Sequence, residues 1–254
     1  MRLLWLLFPV MAGCVAAKPV VRPIQTASTG SATVSAAPMS AAEPEGVPAR
    51  LRCDSEPSRE DRLLEGMVRE RLRAGSPHAA LAELERLDSR QAWVALLRAD
   101  ILRALDDARA GDWYRALRGS CLDGEAEHGL GLIAARRQDY GQAAVHLARA
   151  VRVLPTRHDL RNDQGFVLMH LGQDAAAGFA LRTAAELAPD DASPQWNLAL
   201  LSLLKADAAA WKAWQQRLQP AAEARQDLWQ ACQSMMRHRR PAQPGCPLDP
   251  RKDA

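Results

Sequence analysis

The sequence predicts an all-α fold, a solenoid of about five stacked helix pairs closed by a C-terminal capping helix, about eleven helices together. Two observations carry this. Aromatics make up only 5% of the 254 residues, while alanine and leucine dominate from residue 79 onward. That mixture lets helix axes approach and offers little of the β-branched and aromatic surface that sheets use. The second is a recurrence of small residues and prolines 34 positions apart across 124–191. With 48% apolar and 25% charged residues the chain is globular in composition.

The N-terminus comes first. Arg2, then an apolar run from Leu3 to Met11 broken only by Pro9, then Met11-Ala12-Gly13-Cys14, form the charged start, short apolar core and small-residue cleavage point of a signal peptide over 1–13. Such a run is too short to cross a bilayer core of about 30 Å. The small residues before Cys14 resemble the lipobox of bacterial lipoproteins, whose cysteine is acylated and becomes the mature N-terminus. A plain secretory peptide is the alternative. Val15, rather than Asp, follows the cysteine, which by the same resemblance implies a lipid anchor in the cell outer membrane with the folded part facing the periplasm. Two or more acyl chains would hold it there stably. Residues 14–55 are expected as a disordered tether. Pro, Ser, Thr, Ala and Gly dominate 15–50, and no periodicity of 2 or 3.6 offers enough apolar burial to offset ordering. The coil estimate for about 36 residues is a reach of roughly 30–35 Å.

The solenoid is expected over 56–237. Laid over each other at the period of 34, Gly131 falls on Gly165, Ala143 on Ala177, Leu147 on Leu181, Ala150 on Ala184 and Pro155 on Pro189. Each residue type has a cause. The glycines and the facing alanines let the two helices of a pair touch, the leucines plug the gap to the next layer, and the prolines lack the N–H needed to continue a helix. These places resemble the signature positions of tetratricopeptide repeats. Downstream, Leu198 and Ala199 take the places of Leu130 and Gly131, and Ala210 with Trp214 reads as a second helix starting one residue early. Upstream, Ala99 and Leu102 are followed by Ala110, Tyr114 and Leu117, and Leu63 to Arg73 by Ala79 to Leu87 with Gly75 at the turn. After Pro220, residues 221–237 read as an amphipathic helix capping the last layer. A Pro-rich tail occupies 238–254.

Besides Cys14 there are Cys53, Cys121, Cys232 and Cys246. Four cysteines allow three connectivities, and an exported compartment permits disulfides. Cys232 and Cys246 are close in sequence, so pairing them would staple the tail, leaving Cys53 to Cys121. Buried free thiols are the alternative. No CxxC or HxxxH spacing suggests zinc.

No chemistry emerges. His78, His128, His146, His158, His170 and His238 are not spaced to share a metal, and none lies beside a nucleophile elbow or phosphate loop. Gly129-Leu130-Gly131 reads as helix packing, and Arg237-His238-Arg239-Arg240 as cations complementing a helix end. A net charge of +3, from 33 basic and 30 acidic residues, gives no basic stripe of a nucleic-acid binder. No enzyme activity, cofactor, metal, nucleic acid or small-molecule substrate is expected.

A protein partner is. The first helix of each pair lines the concave wall of such a solenoid. The inward positions are His128, Leu132, Ala135 and Arg136 in the third pair, Asn162, Phe166, Met169 and His170 in the fourth, and Trp196, Leu200, Leu203 and Leu204 in the fifth. Phe166, Trp196, Leu200 and Leu203 form an apolar stripe suited to an amphipathic helix or extended peptide. The alternative occupant is the protein's own tail or the next layer. The stretches Leu160-Arg161-Asn162-Asp163-Gln164-Gly165-Phe166 and Leu181-Arg182-Thr183-Ala184-Ala185-Glu186-Leu187-Ala188-Pro189 resemble the TadD family, tetratricopeptide lipoproteins of the tight-adherence (Flp) pilus machinery. That resemblance implies an outer-membrane accessory that binds the pilus secretin or its terminal segment and assists its localisation or assembly, like a pilotin. A general scaffold for another envelope assembly is the other reading.

Overall fold

The computed structural model describes residues 46–48, 50–53, 58–88, 90–239 and 245–251. Among them eleven helices follow one another: α1 (Arg59–Arg73), α2 (Pro77–Leu84), α3 (Ala92–Ala104), α4 (Ala110–Leu117), α5 (Asp123–Arg136), α6 (Tyr140–Val153), α7 (His158–His170), α8 (Asp174–Leu187), α9 (Ala192–Leu204), α10 (Ala208–Leu218) and α11 (Ala222–His238). The first ten form five antiparallel pairs, as a tetratricopeptide-type solenoid requires. One turn shape makes every pair. The residue two places past the end of each first helix is left-handed: Gly75, Asp106, Gln138, Gly172 and Ala206, with φ between 56° and 74°. Glycine takes that conformation freely; aspartate, glutamine and alanine take it at a cost. Asp139 and Asp207 then cap the next helix by accepting the N–H of Gln142 and Ala210. Pro155 and Pro189 lie just past the ends of α6 and α8.

The seam within each pair depends on small residues. A Cβ on Gly131 would stand 2.9 Å from Leu147 Cγ, and one on Gly165 only 2.5 Å from Leu181 Cγ. Ala143 and Ala177 face them, fully buried. Gly129 serves the layer before: a Cβ there would sit 2.1 Å from the buried ring of Tyr114 on α4. The Gly-Leu-Gly stretch is thus packing.

In the fifth pair the expected one-residue shift is corrected. α10 keeps the 34-residue register, starting at Ala208 where α8 starts at Asp174. The place of Ala177 is filled by Trp211, 2% exposed. An indole where its neighbours have a methyl separates the helices, and α10 meets α9 along less of its length than α8 meets α7.

First helices of successive pairs touch one another (α1 with α3, α3 with α5, α7 with α9), whereas second helices meet only the neighbouring first helices. The wall of first helices is therefore the inner, tighter one. Among the described residues one carboxylate is buried between layers. Glu127 on α5, 2% exposed, accepts from Arg118 Nε at 2.9 Å and lies 2.6 Å from His146 Nδ1 on α6. Burial alone would raise its pKa, but His146 and Arg118 outweigh that and hold it below the ordinary value.

α11 closes the C-terminal end, lying against α9 of the last layer and reaching back to α7. The described residues of the expected tether, 46–48 and 50–53, are not free. Val47 and Leu51 pack on the core between α3, α4 and α5, and Arg52 bonds both ways to the strand-like approach to α3, its N–H donating to Arg90 O at 2.7 Å and its carbonyl accepting from Ala92 N–H at 2.9 Å. Two apolar side chains, two backbone hydrogen bonds and the Cys53–Cys121 disulfide together dock it. The signal peptide, Cys14 and the rest of the tether lie outside the described residues.

Candidate protein-binding groove

Counting back from the end of each first helix gives three rows along the inner wall. Eight residues before the ends stand Glu65, Leu96, His128, Asn162 and Trp196; four before, Arg69, Asp100, Leu132, Phe166 and Leu200; one before, Leu72, Arg103, Ala135, Met169 and Leu203. The wall changes character along its length. Its N-terminal half carries charge, its C-terminal half is apolar.

The charged half is open. A groove of about 430 Å³ runs over α1, α3 and α5, lined by Arg69, Leu72, Trp93, Leu96, Asp100, Arg103, Leu122, Glu125, His128, Leu132 and the Arg157 at the start of α7. Its polar groups are held in place. Tyr114 O–H donates to Asp100 at 2.6 Å and accepts from Arg103 Nε at 3.1 Å. Burial and the Asp100 carboxylate push the Tyr114 hydroxyl well above the ordinary phenol value, so it stays a neutral donor. Arg69 pairs with Glu65 at 2.9 Å, and Arg157 Nε donates to Asp159 at 2.8 Å. Trp93 gives the groove a half-buried aromatic face. Such a site, with an indole and leucines between fixed cations and carboxylates, suits a peptide of mixed charge with an apolar anchor.

The apolar half is covered by α11. Met169, Leu200 and Leu203, expected to face a partner, are 0%, 1% and 0% exposed. They share one core with Leu228, Cys232, Met235 and Met236 of α11, with Phe166 and Trp196 packed half-buried at its edge. The expected apolar stripe is thus covered by a segment of the chain itself, its last described helix. His170, beside this seam, stacks on Tyr140 with ring centroids 3.9 Å apart and meets Phe166 edge-on. Burial, with the charges of His238 and Arg239 nearby, lowers its pKa to about 4. Arg239, 9% exposed, clamps Asp174 at the start of α8 with contacts of 2.6 and 3.2 Å.

Of the other expected contact residues, Arg136 Nη1 is engaged by Arg103 O and Asp106, both at 2.9 Å. Asn162 accepts from Asn197 Nδ2 at 2.8 Å, and His128 Nε2 lies 2.7 Å from Asp163. Of the ten expected contact residues, only His128 and Leu132 line the open groove. Trp93, Arg69, Asp100, Arg103 and Arg157 were not anticipated. The same backward count from the turns at Gly75 and Asp106 identifies Arg69, Asp100 and Arg103; nothing comparable marks Trp93.

The structure joins Cys53 to Cys121 and Cys232 to Cys246, with Cα atoms 6.0 and 5.4 Å apart. Among the described residues no group of three or more His, Cys, Asp or Glu could hold a metal ion, and no helix is long and apolar enough to cross a membrane. No family model matches the chain. Over 185 residues, 70% of this chain and 76% of the other, it is 39% identical to the TPR repeat-containing protein PA4299 of Pseudomonas aeruginosa.

Proposed function

This chain belongs to the TPR repeat-containing proteins, and on that premise we propose a non-catalytic protein-interaction scaffold that takes its partner in the open half of the inner wall. The observation that supports this is the 430 Å³ groove around Trp93 with arginines and carboxylates already fixed by internal bonds. Fixed side chains lose little further entropy when a partner arrives. Trp93→Ala and Arg69→Ala should each weaken binding of the partner at least tenfold while leaving helicity unchanged. Binding unaffected by both would refute the site.

The partner we propose is the pilus secretin, with the chain anchored through acylated Cys14 in the outer membrane and acting like a pilotin. What supports this is the resemblance of 160–166 and 181–189 to TadD-type lipoproteins and of 1–14 to a lipoprotein signal. A deletion strain should lose surface pili and secretin multimers, and the purified protein should retain secretin peptides from a periplasmic extract. Intact multimers in the deletion strain would discard the secretin and leave a scaffold for another envelope assembly.

A further inference from the structure

The last helix of the chain sits where a solenoid of this kind has room for a ligand. α11 lies along α7 and α9 and presents Leu228, Cys232, Met235 and Met236 to Met169, Leu200 and Leu203. Those α11 positions are four, seven and eight apart, the spacing of one helix face, so this wall accepts an amphipathic helix laid into it.

Three features mark α11 as a removable cover rather than a permanent layer. The first is covalent. The Cys232–Cys246 disulfide closes within the cover, joining α11 to the 245–251 segment, whose Arg251 stands 4.4 Å over Trp229; it does not cross the seam to α7 or α9. Leu248 and Cys246 pack on the same core, so helix and tail form one cross-linked unit. Beyond non-covalent contacts, only the residues 219–221 join that unit to the solenoid. Gln219 there is left-handed at φ 44° and Pro220 follows.

The second feature is imperfect polar pairing around the seam. His170 Nδ1, Trp211 Nε1 and Arg239 Nε are buried with no hydrogen-bond partner among the described residues. Each such group carries a desolvation cost that opening would relieve. The third is the surface offered. Two of the four apolar contacts of α11 are methionines, whose flexible thioethers repack against different partners.

We propose that the apolar half of the inner wall is a second docking surface, for an amphipathic helix with apolar residues at this spacing, and that α11 covers it at rest as an internal stand-in which the incoming helix displaces. This rests on the inner wall being the partner-binding face. The displaced unit swings on 219–221, and the Arg239–Asp174 clamp at its far end is the latch.

Two measurements on the full chain test it. In native-state hydrogen exchange of the unmodified protein, α11 amides should exchange at least tenfold faster than those of α7, with α5 to α8 still protected. Exchange of α11 only together with α5 to α8 would overturn the proposal. The second uses a fluorescein-labelled peptide of residues 222–239 carrying Cys232→Ser as the probe. It should bind the Arg239→Ala chain, which keeps Asp174 for the peptide's own Arg239, at least tenfold more tightly than the unmodified chain, once circular dichroism shows its helicity retained. Equal affinity would overturn the proposal, and should that variant fail to fold, the exchange measurement decides alone. Trp93→Ala separates the two readings. It should change neither measurement, so a Trp93→Ala chain that keeps its partner while α11 opens sinks the open groove and leaves the covered one standing.

Discussion

His128 on α5 stands 2.7 Å from Asp163 on α7, and one repeat later Asn162 and Asn197 make the same bridge at 2.8 Å. Both pairs join a residue to the one 35 places on. Polar groups on the inner wall thus stitch layer to layer and are not simply offered to a ligand.

Breaking that stitch should be felt as stability. Asn197→Ala is expected to lower the unfolding free energy by about 1 kcal/mol, the usual net worth of a part-buried neutral hydrogen bond. Asn162→Ala should do the same, and the double variant should cost less than the sum. Denaturant titration of all three checks it; full additivity would mean the amides do not interact.

The seam and the turn make opposite predictions for glycine. Gly165→Ala places a methyl 2.5 Å from Leu181 Cγ and should destabilise by about 1–3 kcal/mol through overpacking. Gln138→Gly relieves a left-handed glutamine at φ 61° and should stabilise by several tenths to about 1 kcal/mol, the left-handed strain less the entropy that glycine adds to the unfolded chain. Thermal melts of the two variants should move in opposite directions.

His170 gives the fold a pH dependence whose sign is fixed by its lowered pKa. The folded state holds it at about 4 against 6.5 for the free imidazole. Between those values the unfolded chain binds the proton and the folded one does not, so stability falls as pH drops from about 6.5 to about 4 and the loss levels off below. The full loss is about 3 kcal/mol. His170→Phe keeps a ring against Tyr140 without a titrating group, and should flatten this part of the profile in denaturant midpoints measured from pH 7.5 to 4.

Reduction should weaken the two ends unequally. Cys53–Cys121 spans 68 residues and Cys232–Cys246 spans 14. By loop entropy these correspond to about 4 and about 3 kcal/mol. Cys53→Ser with Cys121→Ser should therefore lower the unfolding midpoint more than Cys232→Ser with Cys246→Ser. The reverse order would show that the tail, not the lead-in, is the main staple.

The repeats were legible because their cause is local. Gly165 and Pro189 each sit where a single steric demand leaves one small choice, so the period of 34 shows in the letters. The covered groove was not. Leu200 and Leu203 read the same whether they face a foreign helix or α11, because burial by a segment some thirty residues away leaves no local mark. The fifth pair misled for a related reason. Trp211 fills an alanine's place, and only the widened seam between α9 and α10 makes room for it. The open groove leaves no apolar mark in the sequence, because its rows, Arg69, Asp100 and Arg103 among them, are charged and read as an ordinary solvated helix face.

The bond between Cys53 and the loop ahead of α5 decides how tension would travel. A pull applied upstream of residue 46 reaches Val47, Leu51 and the disulfide first. The load then passes into the second and third helix pairs and bypasses α1 and α2. Those two helices lie off the load path and stay packed on α3 through Val68, Ala80 and Leu84, so the first layer, which forms one bank of the open groove, can keep its shape while the molecule is tugged.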